Sequence, residues 1–82
     1  MPPSGPPDPL LAQVLRTIRE SQGRSQESVA YAANISVNAL RRIEYVQANP
    51  TWTTLRQIVR ALSISLAELE RRMEEQARIN AG

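Results

Sequence analysis

The chain has 82 residues and contains neither cysteine nor histidine, which removes disulfides, thiol nucleophiles, imidazole bases and nearly every zinc or haem arrangement, and with them most enzyme chemistries. With no phenylalanine, one tryptophan and two tyrosines, a single small core must be built from Leu, Ile, Val and Ala; such a core is marginal, and dimerisation is a common remedy. The net charge of +2 conceals an asymmetry, because residues 10–63 carry seven Arg against three Glu and residues 64–82 carry three Arg against four Glu.

The first nine residues hold five prolines and a glycine, too few apolar groups and donors for regular structure, so residues 1–8 are expected to form a disordered tail. The tail lacks the basic and apolar regions of a signal peptide, and no apolar run approaches the roughly 20 residues of a membrane span. The expected location is therefore the cytoplasm, in association with the nucleoid if the chain binds DNA, with no membrane partner. Asp8 followed by Pro9 reads as an N-cap with proline at the first helical position. Leu11, Val14, Leu15 and Ile18 then recur on one helix face, and Gly23 supplies the stop.

Ser25 is the expected N-cap of a second helix with Val29, Ala30 and Ala33 inside. Asn34 stands where the chain must turn sharply and tolerates a left-handed conformation. Ser36 can cap a third helix, whose inward side carries Leu40, Ile43 and Glu44, while Asn38, Arg41, Arg42 and Tyr45 cluster opposite. Pro50 bars helix at Asn49, Thr51 or Thr53 can cap a fourth helix, and Leu55, Ile58, Val59 and Leu62 form its stripe, with Trp52 expected over the core edge. Ser65 to Glu68 reads as a capping box opening a fifth helix. Its stripe of Leu66, Leu69, Met73 and Ala77 runs past what a globule of this size needs.

The second and third segments are each shorter than the about 12 to 15 residues at which an isolated helix is already marginal in water. Joined by a tight turn, and with an outward basic face on the second, they read as a helix-turn-helix whose missing apolar partners come from helices one and four. An outward helix about 10 to 12 Å wide fits the roughly 12 Å major groove of B-DNA.

At these residues the chain resembles the Cro/cI-type helix-turn-helix regulators of bacteria and phages, also called the xenobiotic response element (XRE) family. The resemblance is carried by Arg19 four residues before Gly23, by SQESVA from Ser25 to Ala30, by Asn34 at the turn, by Ile35, Leu40 and Ile43 inside, and by the Ile-Glu pair ending at Glu44. NPTWTTL and ALSISLAEL resemble the family's fourth helix and the entry to its fifth, so the likeness spans residues 10–69. The chain departs from the pattern at Asn34, where Gly is frequent, at Tyr45, where Gly commonly follows the Glu, and at Arg24, where an apolar residue is usual.

The resemblance implies an all-α, five-helix, lambda-repressor-like DNA-binding domain over residues 9–69, with an extended fifth helix over residues 65–82 as a dimerisation element. It implies sequence-specific double-stranded DNA binding by a transcriptional regulator, most simply a repressor acting as a homodimer on a pseudopalindromic operator, with no cofactor, no metal and no catalytic residues. Val37 and Asn38 lie at the end of helix three that enters the groove in this family, and Arg42 matches its third base-reading position: Asn can pair with adenine N6 and N7, Val can touch a thymine methyl, and Arg42 can grip guanine O6 and N7, while the adjacent Arg41 is a base-reading candidate that can reach a base or a phosphate. Gln26 matches a phosphate-clamping glutamine, with Ser25, Asn49 and Thr51 as further backbone contacts. Arg19 and Glu44 match an ion pair that fixes helix one to helix three.

For the dimer seam the candidates are Leu66, Leu69, Met73 and Ala77, extended by Ile79 and rimmed by Arg71, Arg72, Glu74, Glu75 and Arg78. A two-fold seam would hold two recognition helices about 34 Å apart, one turn of DNA. Phage repressors, restriction-modification controller proteins and antitoxins are all small stand-alone members; size and the long fifth helix suit the controller type without deciding it. The alternative function is a protein-interaction module, an antitoxin or bridging factor, whose partner would be a toxin or RNA polymerase.

Overall fold

Asp8 opens the first helix as its place before Pro9 predicts: its carboxylate accepts from the backbone N–H groups of Leu10 and Leu11 at 2.9 and 3.3 Å. The computed structural model describes residues 6–82, so the first five residues of the expected tail lie outside the described range. Helix α1 (Pro9–Ser21) ends at Gln22, and Gly23 follows at a φ of +66°, a conformation that costs glycine nothing.

Each later helix also begins on a hydroxyl that takes up an otherwise orphaned N–H. Ser25 Oγ accepts from Ser28 N at 3.0 Å to open α2 (Gln26–Ala33), and Ser36 Oγ accepts from Ala39 N at 3.0 Å to open α3 (Val37–Glu44). Thr51 Oγ1 accepts from Thr54 N at 3.1 Å for α4 (Trp52–Ala61), and Ser65 Oγ from Glu68 N at 3.0 Å for α5 (Leu66–Ala81). Between α2 and α3, Asn34 takes the left-handed conformation at φ +59°, which lets two eight-residue helices turn without glycine. Among the described residues the fold is all-α, with five helices.

One core holds these short helices. Val14, Leu15 and Ile18 from α1 meet Val29, Ala30 and Ala33 from α2, Leu40 and Ile43 from α3, Ile58 and Val59 from α4, Leu62 just beyond it, and Leu69 from α5. Helix α2 packs on α3 and α4, while α1 packs on α3 and α5. The alanines of α2 keep its contact with its neighbours short, so the turn at Asn34 can stay tight. Two side chains from the α1–α2 connection tie down the end of α4: Gln22 Nε2 donates to Leu62 O at 2.8 Å and Arg24 Nη1 donates to Ala61 O. Arg24, which replaces an apolar residue of the family pattern, thus satisfies a helix-terminal carbonyl.

Three expectations need correction. Only the serine half of the expected capping box forms, because the Glu68 carboxylate is taken by Arg71 and Arg72 within α5. Trp52 does not cover the core edge: it lies in the first turn on the flank of the α4 stripe and remains 63% exposed. The length of α5 beyond Leu69 is not surplus either, since Met73 packs on the core and Asn80 Nδ2 donates to Gln13 Oε1 at 3.0 Å, pinning the end of α5 to the start of α1. No helix among the described residues is long and apolar enough to cross a membrane.

Candidate nucleic-acid interface

Glu44, the last residue of α3, is 1% exposed, and a buried carboxylate must be paired or strongly hydrogen-bonded. Arg19 Nε donates to its Oε2 at 2.8 Å and Arg19 Nη2 to its Oε1 at 2.9 Å, the two-pronged geometry that a guanidinium matches best. Gln26 Nε2 adds a third bond to Oε1 at 3.0 Å, and Arg19 Nη1 donates to Arg24 O at 2.8 Å. The hydrogen bond to Glu44 raises the Arg19 pKa, outweighing desolvation. One network therefore joins α1, α2 and the end of α3, and it fixes how α3 is presented.

The opposite side of α3 is open. Asn38, Arg41 and Arg42 are all exposed, and neither arginine has an ion-pair partner among the described residues. Asn38 and Arg42 are one turn apart and share a face. Val37 differs from them: it is half-buried and packs against the core, so only part of its surface can reach a base.

A groove of 160 Å³ runs between α3 and the start of α4, and it brings Arg42 together with Asn49 and Thr51, with Ala39, Ile43 and Pro50 among its other lining residues. Thr51 Oγ1 caps α4 and donates to Thr54 Oγ1 at 3.0 Å, yet the residue stays exposed. Asn49 is partly engaged: its Oδ1 accepts from Asp8 N at 2.7 Å and its Nδ2 donates to Pro6 O at 3.0 Å. Ser25 and Gln26 lie at the start of α2, away from this groove but beside the Glu44 network. Each of the amides of Gln26 and Asn49 keeps one N–H free of the bonds just described, because a primary amide has two donors.

Sequence reasoning missed the tie from Gln26 to Glu44 and the clamp of Asn49 on Pro6 and Asp8. The partners are 18 residues apart in the first case and 41 to 43 in the second, so no local pattern could signal them. It also missed Val46, which follows α3 at a φ of +60°, a conformation that β-branched residues rarely adopt.

The structure also redraws the expected dimer seam. Leu69 is 4% exposed and sits in the core, so it has no surface to give to a second chain. Leu66 and Met73 are half-buried against that core, and Ala77 and Ile79 are exposed. Of the expected rim, Arg71 pairs with Glu68 at 2.6 Å and Glu75 at 3.5 Å, and Arg72 pairs with Glu68 at 2.7 Å. Arg71 and then Arg72, by hydrogen bonding, hold the Glu68 carboxyl below the usual carboxylate range.

Comparison with known proteins agrees with this geometry. A family model described as a helix-turn-helix domain matches residues 10–71. A search of curated proteins finds no match. Among solved structures, the wild-type restriction-modification controller protein C.Esp1396I is similar with a TM-score of 0.81 and 25% identity, over 84% of this chain and 88% of that one. The C.Esp1396I tetramer in complex with its natural 35 base-pair operator is similar with a TM-score of 0.79 and 25% identity, over 82% of this chain and 88% of that one. The chain therefore belongs to the helix-turn-helix domain family, as a DNA-binding regulator of the Cro/cI type.

Proposed function

We propose that this protein regulates transcription by binding a specific double-stranded operator as a homodimer, most simply as a repressor that occludes a promoter, without cofactor or catalytic chemistry. The observation that carries the reading is the two-sidedness of α3. Its inner side is locked by the core and by the Arg19–Glu44–Gln26 network, while Asn38, Arg41 and Arg42 stand exposed on the other. Such a helix enters the major groove with little reorganisation, and rigidity of the reading residues is what converts contacts into specificity.

Asn38 is assigned to an adenine edge and Arg42 to guanine O6 and N7, with Arg41 reading a base or gripping a phosphate and the free part of Val37 touching a thymine methyl. The remaining N–H groups of Gln26 and Asn49, together with the hydroxyls of Ser25 and Thr51, are assigned to phosphates, which set the register but carry no sequence information. Similarity to a controller protein seen with its operator supports the controller type among the family's small members. Action at DNA would place the protein in the cytoplasm, at the nucleoid.

The test is selection from a randomised duplex pool at about 0.15 M salt, with Arg42→Ala alongside. An inverted repeat should emerge with half-sites about one turn apart, and Arg42→Ala should relax one position in each half at a cost of about 1 to 3 kcal/mol. Enrichment of no sequence, with weak binding that fades as salt rises, would reduce the basic face to a general polyanion patch.

A further inference from the structure

We propose that the segment leading into α1, residues 6–8, is a positioning element of the DNA interface: it holds the Asn49 amide in the orientation that leaves an N–H for a phosphate. The inference rests on the DNA-binding reading above and gives one of its backbone contacts a mechanism.

The segment has little else to offer. Residues 6–9 read Pro-Pro-Asp-Pro, and proline has no backbone N–H, so Asp8 is the only main-chain donor of the four. That N–H donates to Asn49 Oδ1 at 2.7 Å, and Pro6 O accepts from Asn49 Nδ2 at 3.0 Å. Stiffness is also local. Each proline fixes its own φ, and Pro6 and Asp8, which both precede a proline, are restricted to extended backbone. Asp8 is extended, at φ −88° and ψ 108°. The segment therefore has little conformational freedom to lose when it meets Asn49.

The two bonds settle which way the amide faces. Asp8 N can only donate and Pro6 O can only accept, so the amide oxygen must face Asp8 and the nitrogen Pro6. A planar amide engaged at both ends along one stretch of backbone has used its oxygen and one hydrogen, and the second hydrogen points away from that stretch. Asn49 stands between two grooves. Asp8, Leu11 and Trp52 line the first and Arg42 the second, with Pro50 and Thr51 shared by both. Away from the segment means toward the groove of Arg42, whose side chain is exposed and without an ion pair among the described residues.

An asparagine released from the segment samples several rotamers, and DNA must then fix it on binding. Immobilising one such side chain is worth about twofold to tenfold in affinity. Because a backbone contact carries no sequence information, that loss falls equally on every site and the base preference stays as it was.

The experiment measures affinity for the selected operator at one fixed salt concentration, with the thermal midpoint and helical content of every chain beside it. The chains are the unmodified protein, one lacking residues 2–5, one lacking residues 2–7, Asn49→Ala, and Asn49→Ala lacking residues 2–7. Removing residues 2–7 joins Met1 to Asp8, so the α1 cap and Pro9 remain while the Pro6 carbonyl and the two stiffening prolines go. Loss of residues 2–5 should leave affinity unchanged, and loss of residues 2–7 should lower it about twofold to tenfold with the same bases selected. In the Asn49→Ala background the longer deletion should cost nothing further, since the two changes remove one contact. A segment that merely steadied α1 would lower the thermal midpoint in both backgrounds and show no such coupling in affinity. Full-length Pro6→Gly with Pro7→Gly keeps every backbone carbonyl but loosens the segment, and should reproduce part of the loss without any truncation. An undiminished affinity on losing residues 2–7, a loss already complete on removing residues 2–5, or one that persists in the Asn49→Ala background would overturn this role alone. An unmodified chain that selects no operator would overturn the function proposed above, and this role with it.

Discussion

Glu44 shows how one side chain can decide the orientation of a whole helix. It is buried, it accepts from Arg19 twice and from Gln26 once, and the Arg19 side chain is itself only 12% exposed. Such a pair is weak evidence of net stabilisation, but removing one partner leaves an uncompensated buried charge. Glu44→Ala should therefore destabilise the fold by about 3 to 5 kcal/mol in urea unfolding. Val46 makes the opposite case. Its left-handed φ is strained for a β-branched side chain that is 39% exposed and buries little in return. Val46→Gly should raise the thermal midpoint, with a gain of about 1 kcal/mol once the entropy of the added glycine is subtracted from the relieved strain. A lower midpoint would mean that the exposed isopropyl group contributes more than its burial suggests. Of these two residues, only the Arg19–Glu44 pair was legible beforehand, and only through family resemblance, because a charge on an inward face does not name its partner 25 residues away.

At the scale of the element, what could be read in the sequence was what is local. Asp8, Ser25, Ser36, Thr51 and Ser65 all cap as their positions predict, since the bonds they accept come from two or three residues downstream. Asn34 at the turn was legible for the same reason. The destination of the α5 stripe was not: apolar residues at helical spacing say that a face is covered, not whether the cover is the same chain or another. Trp52 was misjudged because a residue on the flank of a stripe is buried or exposed according to its neighbours. Helix α5 also carries a pH dependence with a definite sign. Glu68 titrates lower in the folded chain than its ordinary value, so its contribution is fully present above about pH 4.3 and is lost as pH falls through the depressed folded value. Glu68→Gln should lower the unfolding midpoint at neutral pH, and the difference should shrink as pH falls through the depressed folded value of the Glu68 carboxyl. Added salt should shrink the neutral-pH difference, because Arg71 is exposed and Arg72 nearly half so.

At the scale of the whole molecule, no helix is independent. Helices α2 and α3 have eight residues each and persist only because α1 and α4 complete their core. Ile58 is fully buried within that core, so its truncation reaches every helix while leaving the α3 surface untouched. Ile58→Val should cost about 0.5 to 1.5 kcal/mol and Ile58→Ala about 2 to 5, against a total near 4 to 12 kcal/mol at roughly 0.05 to 0.15 kcal/mol per residue. The alanine variant is thus expected to be partly unfolded at 37 °C, a temperature at which the valine variant stays folded. If the α3 surface is the reading surface, operator DNA binds only the folded form and should restore the alanine variant by mass action, adding about 2.7 kcal/mol at a free concentration one hundred times the dissociation constant. Unfolding followed with and without the selected operator separates the two roles: a midpoint that recovers assigns the defect to the core, whereas a folded variant that ignores operator would mean that Ile58 also shapes the reading face.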